Sequence, residues 1–304
     1  MSLIALVCAL LLQKFRPLGE PDPLNGWLNR LADWVKGYAN AGERRYGVLA
    51  WFAVALIVFV PLTLLYYLMY SAAALLSWLV AIVVLYLAIR LRAVLVELAL
   101  IERALRRDDV EEARERLTKW VGHSALQLDR PQIAAAAIQY AVLHCYRGLF
   151  GVLFWFLVLP GPAGAVVYRA AQVLAERWRH SGETEDYAFG WFAGRMLDIL
   201  DWLPQRLVAI SFAIVGDFED ALYCWRTQAQ TCASEGVVLA SAAGALGVRL
   251  GESLGPPLGD CPPIGLGEAA DENHLQSTEG LIWRAIVLWM VMLLLLALVQ
   301  ILSW

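Results

Sequence analysis

From Tyr46 to Ile89 the chain carries no charged residue, and this run limits its fold more than any other feature. Val48–Tyr70 and Ala72–Ile89 are each long enough to cross a bilayer, which takes about 20 mostly apolar residues, and almost no loop lies between them. In hydrocarbon every backbone polar group must be satisfied internally, so such segments are helices. The pair is therefore a helical hairpin, and Tyr66, Tyr67 and Tyr70 near its tip suit an aromatic belt at the membrane surface. Basic residues stand on both flanks: Lys14, Arg16, Arg30, Lys36, Arg44 and Arg45 before it, and Arg90, Arg92, Arg103, Arg106, Arg107, Arg114, Arg116, Lys119 and Arg130 after it. The excess of Lys and Arg places both flanks on the cytoplasmic side.

Composition agrees. Apolar residues make up 60% of the chain and charged ones 17%, with a mean hydropathy of +0.58; ordinary soluble domains are about 45–50% apolar and about 25% charged. The expected fold is all-α and polytopic, with about six transmembrane helices plus amphipathic and cytoplasmic helices. Residues 1–89 are read as an N-terminal span, an interfacial helix and the hairpin. The first span, Ser2–Leu12, is short and ends at Pro17. In Leu24–Tyr46, residues Trp27, Leu28, Leu31, Trp34, Val35 and Tyr38 recur at steps of three and four, the pattern of an amphipathic helix at the interface or against other helices.

Residues 90–131 are expected to form a cytoplasmic helical segment. Asp108-Asp109 supplies a turn and N-cap there, and Glu112/Arg116 and Glu115/Lys119 are spaced for ion pairs. Residues 132–216 form the membrane core with a polar cleft, in which the small residues Gly161, Ala163, Gly164 and Ala165 allow helices to approach closely. Residues 217–280 are an acidic cytoplasmic segment, partly loop because of the Gly and Pro density over Gly251–Gly267. Residues 281–304 are the closing span. The five cysteines lack a C-x-x-C pair, and their odd number suits reduced thiols.

Chemistry concentrates between Gly161 and Arg206. Arg195, Asp198 and Asp201 follow at steps of three and share a helix face, with Arg206 beyond Pro204. Pro204 is expected to end or kink the helix and to free carbonyls near those charges. Ionisable residues at a membrane face are costly, so they mark a candidate site by default. A rim of mutually paired charges is the alternative reading. His144 and Arg147 stand near the start of the span that leads into Phe150, Phe154 and Trp155. No phosphate-binding Gly-x-x-x-x-Gly-Lys-Ser/Thr, no Gly-x-Ser-x-Gly and no His-Glu-x-x-His occurs, and the scattered histidines and cysteines lack metal-ligand spacing. No catalytic residue, metal or cofactor is assigned from the residues, and no basic patch suggests nucleic acid.

Four pieces in order resemble the CobD/CbiB superfamily of membrane proteins. They are Asp109-x-x-x-Ala113-Arg114-x-x-Leu117-x-x-x-Val121-Gly122, Leu153-Phe154-Trp155, Gly161-Pro162-x-Gly164-x-x-x-Tyr168 and Arg195-x-x-Asp198-x-x-Asp201-x-x-Pro204-x-Arg206. The superfamily contains cobinamide-phosphate synthases and the AmpE proteins linked to β-lactamase induction. The synthases' polar signature is altered here. His123-Ser124 stand for an Arg-Asp pair, Leu143-His144-Cys145-Tyr146-Arg147 for Glu-Asn-x-x-Asp, Gln172–Ala175 for Asn-Thr-x-Asp, and Leu197-Asp198 for paired acids. Magnesium and nucleotide chemistry relies on carboxylates.

Leu200-Asp201-Trp202-x-Pro204-x-Arg206-Leu207 and Gly216-x-x-Glu219-x-Ala221-Leu222-x-x-Trp225 resemble the AmpE branch. That resemblance implies a non-catalytic sensor or regulator in a bacterial inner membrane, linked to cell-wall recycling. An adenosylcobinamide-phosphate synthase-like enzyme, or a diverged membrane ligase, is the alternative. The implied partners are the lipid bilayer and a small molecule of the muropeptide, nucleotide or corrinoid class, with room for a homo-oligomer. The candidate ligand-contacting residues are Arg195, Asp198, Asp201, Arg206, His144, Arg147 and Tyr168.

Overall fold

The computed structural model describes residues 2–15, 22–40, 43–122, 124–159, 161–179, 184–232, 235–251 and 262–302. Its chain divides into two compact units, each built from two separate stretches: Met1–Ile89 with Gly148–Pro204, and Arg90–Arg147 with Gln205–Trp304. Helix predominates, and the protein is an all-α polytopic membrane protein. Four helical stretches among the described residues are long and apolar enough to cross a membrane: Arg44–Ala72, Leu75–Arg106, Arg130–Val158 and Glu272–Val299. Two segments expected to span, the first helix and the one after Gly161, are not among them.

The first unit holds α1 (Ser2–Phe15), α2 (Pro23–Ala39), α3 (Arg44–Ala72) and α4 (Ala74–Ala88). After α5 (Leu91–Arg106), α6 (Val110–Val121) and α7 (Arg130–Cys145), which belong to the second unit, come α8 (Gly151–Val158), α9 (Ala163–Arg179) and the first part of α10 (Thr184–Val215). Helix α9 is the core of this unit. It is buried almost all round from Ala163 to Ala175 and packs on α2, α3, α4 and α8. Its Ala and Gly content permits this, because small residues let backbones approach when lipid supplies no hydrophobic drive. A Cβ on Gly164 would lie 2.1 Å from the Trp155 carbonyl oxygen, and one on Gly151 would lie 2.3 Å from the Tyr168 hydroxyl. Neither position can hold a larger residue without moving a helix.

Helix α3 turns Gly47, Ala50, Trp51, Val54 and Val58 inward, at steps of three and four, and leaves Leu49, Phe52, Leu56, Ile57 and Val60 outward. In a spanning helix the outward face meets lipid tails. Helix α1 has a particular task at the end of α4. The buried Gln13 side chain donates to the carbonyls of Tyr86 (3.3 Å) and Ile89. These belong to the last turn of α4, where no intrahelical donor remains.

In the second unit α7 is the core, with every residue from Ile133 to Leu143 buried and with α5, α6, α12 and α13 as neighbours. The other members are α11 (Phe218–Gln228), α12 (Gly236–Leu246) and α13 (Glu272–Leu302), with a parallel pair of two-residue strands, Val248–Arg249 and Glu268–Ala269. Asp109 caps α6 through the Glu112 N–H at 2.9 Å, as its place in the sequence predicts, and Asp108 takes a left-handed φ of 61° in the turn. The Glu112/Arg116 and Glu115/Lys119 pairs form at 2.8 and 2.7 Å.

Three sequence expectations are corrected. Of the two outcomes expected at Pro204, ending the helix does not occur, since α10 runs through it to Val215. Within 217–280, α12 is an apolar helix too short to span, and it is buried from Val238 to Gly244 in the core of its unit. Its contact with α11 depends on Gly244, whose Cβ would stand 2.3 Å from the Asp220 carbonyl. Finally, Cys232 is disulfide-bonded, whereas Cys8, Cys145 and Cys224 are free thiols. Residues 180–183 of the charged elbow and 252–261 of the Gly/Pro stretch lie outside the described residues.

Candidate functional site

The polar side chains of the first unit gather on its core helix. Tyr168 and Arg169 follow one another on α9, and Gln172 is three residues on. All three are buried in a stretch, Ala163–Ala175, otherwise made of Ala, Gly, Val and Leu. The Tyr168 hydroxyl donates to Asp201 Oδ1 on α10 at 2.6 Å, the length of a charge-assisted bond. Asp201 is 2% exposed. Gly151 makes the space for that phenol, which is why the small residue and the tyrosine occur together.

Pro204 acts on the backbone one residue before Asp201. A proline has no N–H to give the carbonyl four residues earlier, and here that carbonyl belongs to Leu200. The Trp155 indole Nε1 of α8 donates to it at 3.2 Å. The freed carbonyl thus has a partner inside the protein, and α10 continues because the missing bond is replaced from a neighbouring helix.

Arg169 donates from Nη1 to Gln172 Oε1 at 2.6 Å and from Nη2 to Asn25 Oδ1 of α2 at 2.8 Å. Further along the same seam Arg177 reaches Asn29 at 3.2 Å and Asp33 at 3.5 Å, and the Trp178 indole donates to the Ala32 carbonyl at 3.2 Å. The α2–α9 contact is therefore polar along its length.

The seven residues singled out from the sequence divide between the units. Tyr168 and Asp201 are brought together. Asp198 is half-buried and Arg195 exposed on the same helix, and among the described residues no ion pair links them, so the paired rim does not form there. His144, Arg147 and Arg206 belong to the second unit. His144 is exposed, stacks on Tyr140 with ring centres 4.6 Å apart, and has Nδ1 3.0 Å from the Tyr140 carbonyl. Arg147 lies in a π-helical turn, Tyr146–Phe150, and pairs with Glu235 ahead of α12. Arg206 is half-buried beyond Pro204. Sequence reasoning missed Arg169, although an arginine inside an Ala-rich helix beside the chosen tyrosine was the signal for it.

Magnesium, implied by the synthase resemblance, needs several convergent oxygens. No group of three or more His, Cys, Asp or Glu side chains able to hold a metal occurs among the described residues, and no step is assigned to such an ion.

The fold is that of a helical membrane protein with polar side chains buried on a core helix. Residues 3–254 match the CobD/Cbib protein family, and the chain belongs to it. A "Cobalamin biosynthesis protein CobD" of Stutzerimonas stutzeri is 37% identical over 302 residues, covering 96% of each chain. Another of that name from Chromobacterium violaceum is 36% identical over 219 residues, or 71% of this chain and 70% of its own. A "Probable cobalamin biosynthesis protein CobD" of Methanothermobacter thermautotrophicus is 27% identical over 233 residues, or 74% of this chain and 75% of its own. No solved structure matches the chain significantly.

These relatives overturn the AmpE-like regulatory reading. That reading rests on short stretches around Pro204 and Trp225 and on four altered polar motifs, whereas likeness to CobD extends over nearly the whole chain.

Proposed function

We propose that this chain acts in cobalamin biosynthesis as a membrane-bound ligase that resembles the adenosylcobinamide-phosphate synthases. Its substrate is a corrinoid, which receives a side chain. The observation that carries this reading is the 37% identity to a CobD protein across 96% of both chains. The buried Tyr168–Asp201 pair supports it, because an ionisable group held inside apolar helices is costly and marks a functional site. Asp201 and Tyr168 are the central residues of the proposed site, with Arg195 and Asp198 on the same helix as Asp201; His144, Arg147 and Arg206, in the second unit, are separate candidate ligand contacts. The chain sits in a bacterial inner membrane with Arg90–Arg130 facing the cytoplasm, a placement supported by the basic flanks of the hairpin.

The test is rescue of cobalamin-dependent growth in a strain deleted for its own CobD. Growth is expected with the intact chain, and loss of growth with Asp201→Asn at unchanged membrane abundance. Failure of the intact chain, where the Stutzerimonas stutzeri relative restores growth, overturns the reading. Orientation is checked separately: a cysteine at Asp109 is expected to resist a membrane-impermeant thiol reagent in intact cells and to react after lysis.

A further inference from the structure

Helix α2 has three distinct faces. Leu28, Ala32 and Val35 are buried against the unit. On one side of that stripe Asn25, Asn29 and Asp33, at steps of four, meet Arg169 and Arg177 of α9. On the other side Trp27, Trp34 and Tyr38 are 47%, 58% and 82% exposed, with Leu31 between them and the Trp34 and Tyr38 rings 5.2 Å apart. Exposed aromatic surface of this size needs an occupant.

The depth of the helix identifies that occupant. The Ala32 carbonyl accepts from Trp178, whose ring lies 4.8 Å from that of Phe189, and a Cβ on Gly47 would lie 2.1 Å from the Phe189 carbonyl oxygen. This chain of contacts joins the middle of α2 to the start of α3, where Gly47 follows Arg44 and Arg45 by one turn or less. Arg44 lies 5.1 Å over the Trp191 ring, and Arg45 lies 5.6 Å over Tyr46. Trp34 and Tyr38 thus stand where a span gives way to its charged flank, the level at which Trp and Tyr partition between tails and headgroups. Arg30, on the outward side next to the aromatics, is exposed, and so is Arg45.

We propose that the exposed flank of α2 is seated in the headgroup layer of an anionic bilayer, with Trp27 and Leu31 deepest, Trp34 and Tyr38 at the boundary, and Arg30, Arg44 and Arg45 on the lipid phosphates. Helix α2 is then an interfacial anchor. Its lipid-bound flank and its α9-bound flank hold the polar seam between them. Juxtamembrane cations gain from anionic lipid near the surface, so the seating depends on lipid charge. This assignment stands independently of the ligase reading.

The experiment uses the full chain in a Cys8→Ser background with single spin labels at Trp34→Cys, Tyr38→Cys and Asp33→Cys, in mixed phosphatidylglycerol–phosphatidylcholine vesicles. Collision with oxygen relative to a water-soluble nickel chelate is expected to be several-fold higher at 34 and 38 than at 33. That ratio is expected to fall in pure phosphatidylcholine, and Arg30→Gln with Arg45→Gln is expected to reproduce the fall. Nickel access at 34 and 38 equal to that at 33 would place the helix in water and overturn the proposal. Shielding of 34 and 38 from both reagents would show a protein partner, such as a second copy, and also overturn it. A ratio indifferent to lipid charge would overturn the anionic headgroup assignment.

Discussion

The two core helices, α9 and α7, are both encased on all sides, yet they treat polar groups differently. Helix α7 buries an Ala-rich run from Ile133 to Leu143 that includes Gln139 and Tyr140, the latter donating to the Val121 carbonyl at 3.0 Å, but keeps its ion pairs at its start. There Asp129 and Gln132 form a capping box, and Arg130 holds Asp108 at 2.9 Å, the Leu105 carbonyl at 2.9 Å and Glu272 at 3.2 Å. Helix α9 instead carries Tyr168, Arg169 and Gln172 through its middle. A buried polar group costs free energy unless it is fully bonded. Helix α7 buries only uncharged polar groups in its middle, whereas α9 also buries the guanidinium of Arg169.

The sharpest way to break the comparison is steric. Gly164→Val should abolish most folded protein, because its Cβ meets a backbone oxygen that cannot yield. Ala137→Gly in α7 should cost about 1 kcal/mol. Detergent-resistant monomer by size exclusion separates them. Equal yields would show that α8 and α9 can move apart.

Next comes the polar pair. Tyr168→Phe removes a donor to the buried Asp201 and should cost about 1–3 kcal/mol. Asp201→Asn keeps the shape and should melt closer to the parent while losing growth rescue. Parallel losses of stability and function in both variants would reduce the pair to a structural bond. Finer still is a cycle on the proline. Trp155→Phe leaves the Leu200 carbonyl without its indole donor and should cost about 1–2 kcal/mol. Adding Pro204→Ala restores the helical N–H and should recover much of that loss. Additivity would mean that the two residues act independently.

The smallest effect belongs to the second unit. Asp271 caps α13, accepting from the Asn273 and His274 N–H groups at 3.0 and 2.9 Å, and removal of such a cap costs about 1 kcal/mol. Desolvation opposes its ionisation, but bonds from the His274 backbone and ring and from Asn273 outweigh it and hold the carboxyl below its ordinary value. A depressed carboxylate contributes stability that is present above the unfolded pKa and lost as pH falls through the folded one. The difference in melting between the parent and Asp271→Ala should therefore shrink only below about pH 4. A constant difference down to strong acid would remove the carboxylate from the account.

Much of this was legible in the sequence. The uncharged run through the hairpin, the Asp109 cap and the small residues at Gly164 each carry a local rule that nothing distant overrides. Pro204 misled because its rule is local while its remedy is not: the Trp155 indole that takes over the Leu200 carbonyl is 45 residues away. Residues 236–246 misled for another reason. The acidic character of 217–280 as a whole hid an apolar helix, and only Gly244 against the Asp220 carbonyl shows how tightly it is held. Tyr168 and Asp201 were both visible as candidates, yet their pairing spans two helices that spacing cannot bring together.

Gln13 adds a constraint on the order in which the protein is made. Its amide caps the end of α4, and its acceptor Ile89 lies 76 residues further along the chain. At about 5–20 residues per second, translation delivers that acceptor several seconds after Gln13 itself. Helix α1 is therefore made before its acceptor exists, and closes on α4 only after the whole hairpin has been made. Its docking marks the moment at which the first membrane pair is complete, and a nascent chain halted before Ile89 has no such bond to make.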